Sequence, residues 1–362
     1  MSCHMRCRPY LPRHRTELSP LASLDTETVG ESRSYLIVFA SAAGSAVLAG
    51  ALVADAAGLG DVRRATSNFD PRWLAICVGA QMIGYLGYVL ALRNVARVDG
   101  GPHLSLGQSA RTVAAGFGVH GAAHVSGGFA VDYLALRRAG LERKQAIARV
   151  ACLGTLELAV IAVAGLASAL VLLAAGAHIQ ASVTWPWLFV VPGLFAALWV
   201  TSPRRRDRLA DSSAGGHIRS AFAHVVAGLV MVRSLATQPR QHLPGLLGVA
   251  FFFLGEMACL WASLRALSVE ISLPSLVLAY ATGSVASRRG LPWGGAGIVE
   301  LLMTFALVCV GIPLAPALAG VLLYRLVSFW LPLVPALALL PHGAQLRRDV
   351  ERHDSAAERN AT

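Results

Sequence analysis

The sequence predicts an all-α polytopic membrane protein with about six full transmembrane helices and two re-entrant or broken helix hairpins. Three observations predict it. Of 362 residues, 55% are hydrophobic and only 14% charged, whereas soluble domains carry roughly a quarter charged residues. Several runs approach the ~20 apolar residues that cross ~30 Å of hydrocarbon. Two glycine-rich stretches, 114–128 and 291–300, interrupt that pattern. The longest polar interval, 203–242, is too short to bury a core of its own.

Taken in order, residues 1–33 read as a polar, disordered arm with no apolar core of a signal peptide. The first span covers about 34–57 and the second about 72–92. The Gly-, His- and Ser-rich region 109–134 has poor helix propensity and reads as a broken helix pair. A third span covers about 147–175, and a fourth about 184–202 begins with Trp185, Pro186 and Trp187, where an aromatic belt belongs. Within 203–242, Ile218, Phe222, Val225, Leu229, Val232 and Ala236 recur at helical spacing. That stripe fits an amphipathic helix on the membrane surface or a connector packed against the spans. A fifth span follows at about 244–267, then a second broken hairpin at 271–311. The last span covers about 313–340; Pro313 and Pro316 suit its first turn, and Pro332 and Pro335 kink it. A charged tail, 341–362, closes the chain.

Charge sets the orientation. The net charge is +11, and Lys144 is the one lysine among 31 basic residues. Seven arginines sit in 203–242 against Asp207 and Asp211, whereas 177–184 has no Arg or Lys. By the positive-inside bias both termini and the 203–242 loop are cytoplasmic, in a multi-pass protein of the cell membrane. Without a basic soluble domain, nucleic acid is not an expected partner. Cys77, Cys152, Cys259 and Cys309 fall in apolar segments as small buried hydrophobes. Cys3, His4 and Cys7 lack the further ligand pair that a metal site needs.

The residues with chemical potential lie in and around the breaks. In Gly294-Gly295-Ala296-Gly297, glycines let backbone amides approach an anion, and the following helix N-terminus adds positive potential. Glu300, one turn on, needs neutralising, and Arg325 in the last span is its natural partner. The pair either serves a site or fixes helix register. Glu157 and Glu256 also lie inside apolar spans, each pairing with a buried arginine or carrying a proton. Asp132 follows Gly127-Gly128 as Glu300 follows Gly294-Gly295, an echo that fits either an inverted repeat or chance. His120 and His124 have the i, i+4 spacing of a helical metal pair but no third ligand. Lining of a lipid headgroup path and plain helix packing are their other readings. Arg265, near a span end, snorkels. No nucleotide-binding loop, zinc motif or nucleophile elbow occurs, so no cofactor, metal or enzymatic activity is expected.

Pro292-x-Gly294-Gly295-x-Gly297-x-x-Glu300, then Gly311-Ile312-Pro313-Leu314, then Leu323-Tyr324-Arg325-x-x-x-Phe329-Trp330, resembles the signature ending of the lysylphosphatidylglycerol synthase transmembrane region, a flippase-like family. The segment Ser126-Gly127-Gly128-Phe129-x-Val131-Asp132-Tyr133, running on to Gly140, is similar to the family's first Gly-rich hairpin, with Val125-Ser126 in place of a proline before the glycines. The resemblance covers roughly residues 34–340. It implies movement of a lipid or lipid-linked headgroup between leaflets, and no aminoacyl-transferase domain is expected on a chain ending at Thr362.

The expected function is therefore binding and translocation of a lipid with an anionic or zwitterionic headgroup. Gly294, Gly295, Gly297, Glu300, Tyr324 and Arg325 carry it, with Asp132, His120, His124, Glu157 and Glu256 as further lining. Two alternatives stay open: a non-transporting accessory subunit for an enzyme of lipid or cell-envelope glycan synthesis, and a small-solute secondary transporter.

Overall fold

The structure is a computed structural model that describes residues 32–122, 127–177, 179–201, 226, 228–233, 235, 237, 239–285, 295–333, 350 and 352. Among them there are helices and no strands: α1 (Ser32–Ala57), α2 (Leu59–Thr66), α3 (Arg72–Arg97), α4 (Leu106–Ala122), α5 (Gly127–Arg138), α6 (Arg143–Ala174), α7 (Ala181–Leu188), α8 (Val190–Val200), α9 (Pro239–Arg265), α10 (Leu273–Val285), α11 (Ile298–Cys309) and α12 (Leu314–Arg325). Four stretches of the described residues are long and apolar enough to cross a membrane: Arg72–Gly100, Arg143–Ala174, His242–Arg265 and Leu314–Leu333. A fifth is present if the pair Ala43–Ala57 and Leu59–Thr66, bent by 99°, counts as one span. The bend falls at Gly58, whose φ is 84°.

The expected span at 184–202 is instead two short helices, α7 and α8, parted at Phe189. Pro192 explains the break, because a proline ring clashes with the carbonyl four residues back, here that of Leu188. Trp187 does not belong to an aromatic belt either. It is buried, donates its indole N–H to Thr282 Oγ1 at 3.1 Å, and packs face-on where Gly165 of α6 leaves room. Trp185, 62% exposed, keeps the outward position.

Both expected broken hairpins are helix pairs in contact with one another, α4 with α5 and α10 with α11. Their turns, including Gly294, His124 and residues 286–293, lie outside the described residues, as does the side chain of His120. The start of α11 rests on α1: Ser45 Oγ donates to the Ala296 carbonyl at 3.2 Å. Gly311, at φ 100°, ends α11 with the Ile312 N–H on the Leu307 carbonyl at 3.0 Å. Only glycine adopts that conformation without strain. Pro313 then caps α12 and Pro316 sits in its first turn, as expected.

The tightest packing joins α3 to α9. Gly84 and Gly87 of α3 face Gly248 and Gly255 of α9, so the two backbones approach without intervening side chains. Lipid tails are as apolar as leucine, so membrane helices associate through such close van der Waals contact. Outward faces are apolar, with Leu86 and Leu254 each more than half exposed, while Gln81 and Glu256 of the same helices are buried.

Where the 203–242 segment is described, it packs inward. Val226 and Leu235 are buried, and Gly228 abuts Ala151 of α6. The connector reading fits these residues.

A Cβ at residue 255 would stand 2.7 Å from the Gly84 backbone nitrogen, whereas at Gly79 nothing lies within 4 Å. Gly255→Val should lower stability in detergent by about 1–3 kcal/mol. Gly79→Ala should not lower the unfolding midpoint. Chemical denaturation followed by circular dichroism checks both.

Candidate functional site

Among the described residues, four carboxylates and the Arg325 guanidinium are buried on elements that converge, while a second buried arginine, Arg149 of α6, donates to the Ala96 and Val98 carbonyls. Glu300 is 1% exposed, Asp132 2%, Glu157 4%, Arg325 6% and Glu256 7%. Glu157 lies about 20 Å from the nearer end of α6, taking 1.5 Å per helical residue. Its depth is therefore that of the membrane interior.

Glu300 occupies the third position of α11, and its Oε2 accepts the Gly297 N–H at 2.6 Å. It thus supplies the carboxylate half of a capping arrangement for its own helix. Gly297 has φ 88° and lies against the Ser45 carbonyl, so both its conformation and its surroundings suit glycine. The backbone amide that the sequence offers to an external anion is taken here by Glu300. The other carboxylate oxygen, Oε1, accepts from Arg325 Nε at 2.9 Å, forming the expected ion pair.

Arg325 is stacked with its Cζ 4.2 Å from the Phe329 ring centre. Its Nη2 is buried and has no hydrogen-bond partner among the described residues. A second cluster surrounds Glu256: Gln81 Nε2 donates to Oε1 at 2.7 Å, and the Tyr324 hydroxyl donates to Oε2. The sequence offered Glu256 an arginine or a proton; its partners are an amide and a phenol. A third contact joins Tyr88 Oη to Asp132 Oδ2 at 3.0 Å. Asp132 and Glu300, likened by sequence, therefore have different local partners.

Most of these groups, though not Glu300 or Gln81, face a cavity of about 130 Å³. A buried water needs roughly 10–15 Å³ of such space, so the cavity holds several waters or a compact polar group. Asp132, Glu157, Glu256, Tyr324 and Arg325 line it, with Phe117, Phe252 and Met303 among its apolar walls. Both helix pairs contribute, α4 and α5 through Gly116, Phe117, Phe129 and Asp132, and α10 and α11 through Tyr280, Ser284, Val299 and Met303. Gly295, at φ 71°, and Gly297 shape the approach to α11 and are not among the lining residues.

The last span widens at the cavity. Residues Leu326–Trp330 form a π-helical turn. Pro332 has no N–H for the carbonyl of Ser328 and crowds it sterically. That carbonyl instead accepts the Tyr85 hydroxyl at 3.1 Å, which ties α12 to α3. Sequence reasoning missed Gln81, Tyr85, Tyr88 and Ser328. A glutamine deep in an apolar span was the one signal that pointed to any of them.

Arg265 lies outside the site. It pairs with Glu270 at 2.7 Å and stacks over Trp73 at 5.7 Å, as a residue at a span end does. Among the described residues, no group of three His, Cys, Asp or Glu side chains is placed to hold a metal ion.

A family model described as the lysylphosphatidylglycerol synthase TM region matches residues 36–336. The chain belongs to that family. Comparison with curated proteins gives no match. The matched region contains every helix that lines the cavity, so the buried ionisable groups belong to the body shared with the lysylphosphatidylglycerol synthase membrane region. Membership and the apolar helices together make this a membrane protein, and a role tied to membrane lipids is consistent with both.

Truncating one partner of a buried pair strands the other charge, typically at about 3–5 kcal/mol. Arg325→Met should therefore destabilise the protein by that order, and Arg325→Met combined with Glu300→Gln should recover most of the loss. Unfolding titrations of both variants in micelles measure the coupling.

Proposed function

We propose that the protein binds a lipid through an anionic or zwitterionic headgroup and moves that headgroup between leaflets, without covalent change to it. The observation that carries the reading is Arg325, a guanidinium lining a cavity of about 130 Å³, whose buried Nη2 has no hydrogen-bond partner among the described residues. Guanidinium nitrogens bind phosphate and carboxylate oxygens through short, charge-assisted hydrogen bonds. Glu300 holds Nε and the Phe329 ring supports one face, so the side chain is oriented before a ligand arrives. A preorganised donor loses less on binding.

Several features support translocation over simple binding. The cavity is built from the discontinuous helix pairs, the type of element from which membrane transporters build midplane sites. Its walls mix aromatic and polar groups, so a headgroup finds partners while acyl chains stay against the apolar outer faces. Gly295 and Gly297 at the head of α11, and the π-turn that follows α12, are places where backbone geometry changes at low cost.

Reconstitution in vesicles containing a fluorescent phosphatidylglycerol, quenched from outside, tests this directly. The wild type should let the quencher reach close to all the label, whereas protein-free vesicles should lose only the outer half. Arg325→Lys keeps a cation beside Glu300 but removes the planar fork. Exchange should fall by roughly 10-fold or more, equivalent to about 1.4 kcal/mol, the low end for a charged hydrogen bond. Wild-type vesicles that behave as protein-free ones, or a folded Arg325→Lys variant with undiminished exchange, would overturn the reading.

A further inference from the structure

A headgroup reaches Arg325 only if one wall of the cavity parts toward the bilayer, because its acyl chains stay among lipid. Most elements around the cavity are held by buried polar ties. Glu300 joins α11 to the last span through Arg325, and Glu256 joins α9 to it through Tyr324. Tyr88 of α3 reaches Asp132 of α5, and Gln81 of α3 reaches Glu256. Arg149 fixes α6 to the end of α3 through the Ala96 and Val98 carbonyls. Parting any of these leaves a buried charge or polar group without its partner.

The first helix is held differently. α1 touches α4, α11 and α12. Among its described residues, those buried are Ala46, Ala49 and Gly50, while Val47, Leu48 and Leu52 are each more than half exposed. Membrane helices associate through van der Waals contact and hydrogen bonds, so two alanines and a glycine grip weakly. Ser45 Oγ adds its bond to the Ala296 carbonyl, and a Cβ on residue 50 would stand 3.6 Å from Leu322 Cδ2. At Gly58, whose φ is 84°, the chain bends by 99° into α2, which rests on α12. A glycine at such an elbow absorbs the dihedral change of a hinge.

Behind α1 lies a short route to the cavity. Ala46 packs with Ala296, and Trp330 lies against them. Trp330 meets Phe329 edge-on with ring centres 5.0 Å apart. Phe329 lines the cavity and supports Arg325, whose side chain is 6% exposed and whose Nη2 has no partner among the described residues. Two aromatic rings thus separate α1 from the guanidinium. We propose that α1 is the moving wall of the cavity: it swings about Gly58, and the seam it uncovers along Ala296, Leu322 and Trp330 is where the headgroup enters from the bilayer with its acyl chains trailing in lipid. α2 stays on α12 as α1 moves, and no bond is made or broken beyond the Ser45 hydrogen bond. The proposal rests on the headgroup-binding reading and deepens it by assigning the lipid's path.

Tethering α1 to the last span tests it. The full-length double variant Gly50→Cys, Leu322→Cys is treated with methanediyl bis-methanethiosulfonate, a short bridge between two thiols, and the 50–322 link is verified by peptide mapping. In vesicles with fluorescent phosphatidylglycerol, exchange should fall to that of protein-free vesicles and return when dithiothreitol cuts the bridge. Each single variant treated alike should exchange as the wild type does. Undiminished exchange in the linked protein overturns the moving wall and leaves headgroup binding standing. Wild-type vesicles without exchange overturn the headgroup reading, and this proposal with it. Should the double variant not fold, the wild type decides alone, with a phosphatidylglycerol bearing a photoactivatable diazirine in its acyl chain. Ala46 and Ala296 are covered while α1 is seated, so label on either is the expected result. Label confined to outward residues such as Leu86 and Leu254, in protein that exchanges lipid, overturns the assigned path.

Discussion

A single ion pair in apolar surroundings, Glu300 with Arg325, sets the terms for the interior of this protein. Each charge alone at that depth is expensive. Together they restrict where two helices sit. Glu300 is committed twice, to the Gly297 amide at the head of its own helix and to Arg325 Nε. Arg325 is committed once by Nε and once by its face against Phe329, which leaves Nη2 without a partner among the described residues. The glycines before α11, the carboxylate in its first turn and the arginine 25 residues on therefore act as one unit. It closes a helix end and holds a cation in place with a nitrogen to spare.

The surrounding structure serves that arrangement. Glycine faces on α3 and α9 bring those helices close enough for Gln81 to reach Glu256. Glu256 in turn receives the hydroxyl of Tyr324, the neighbour of Arg325. Pro332 withdraws a backbone donor from Ser328, and Tyr85 of α3 fills the vacancy. The last span is thus tied to α3 and α9 on one side and to α11 on the other. The site is stiff where charge is held, and its irregular backbone lies at Gly295, Gly297 and the π-turn.

Much of this was legible in residue types and spacing. An apolar chain interrupted by glycines, with a carboxylate just after one break and an arginine in the next span, names the central pair before any coordinates are seen. The helix limits also follow, because Gly311-Ile312-Pro313 ends one helix and begins another by local chemistry. What spacing along the chain does not reveal is which side chains meet across it. Gln81 and Glu256 are 175 residues apart, and Tyr88 and Asp132 are brought together by packing alone. Trp187 looked like a belt residue because its neighbours are aromatic, yet Gly165 on another helix makes the space that buries it. The apolar run expected at 184–202 is helical but interrupted at Phe189 for a local reason, since Pro192 supplies no N–H to the Leu188 carbonyl.

The central claim is that Arg325 Nη2 receives the headgroup. Cryo-electron microscopy of the protein in nanodiscs containing phosphatidylglycerol tests it most directly. The account predicts density for a phosphate or headgroup oxygen within about 3 Å of Nη2, the range of a charge-assisted hydrogen bond, and continuous with acyl chains leaving the cavity. Lipid density confined to the outer apolar faces, with Nη2 bonded to a protein group and the cavity closed, would contradict it.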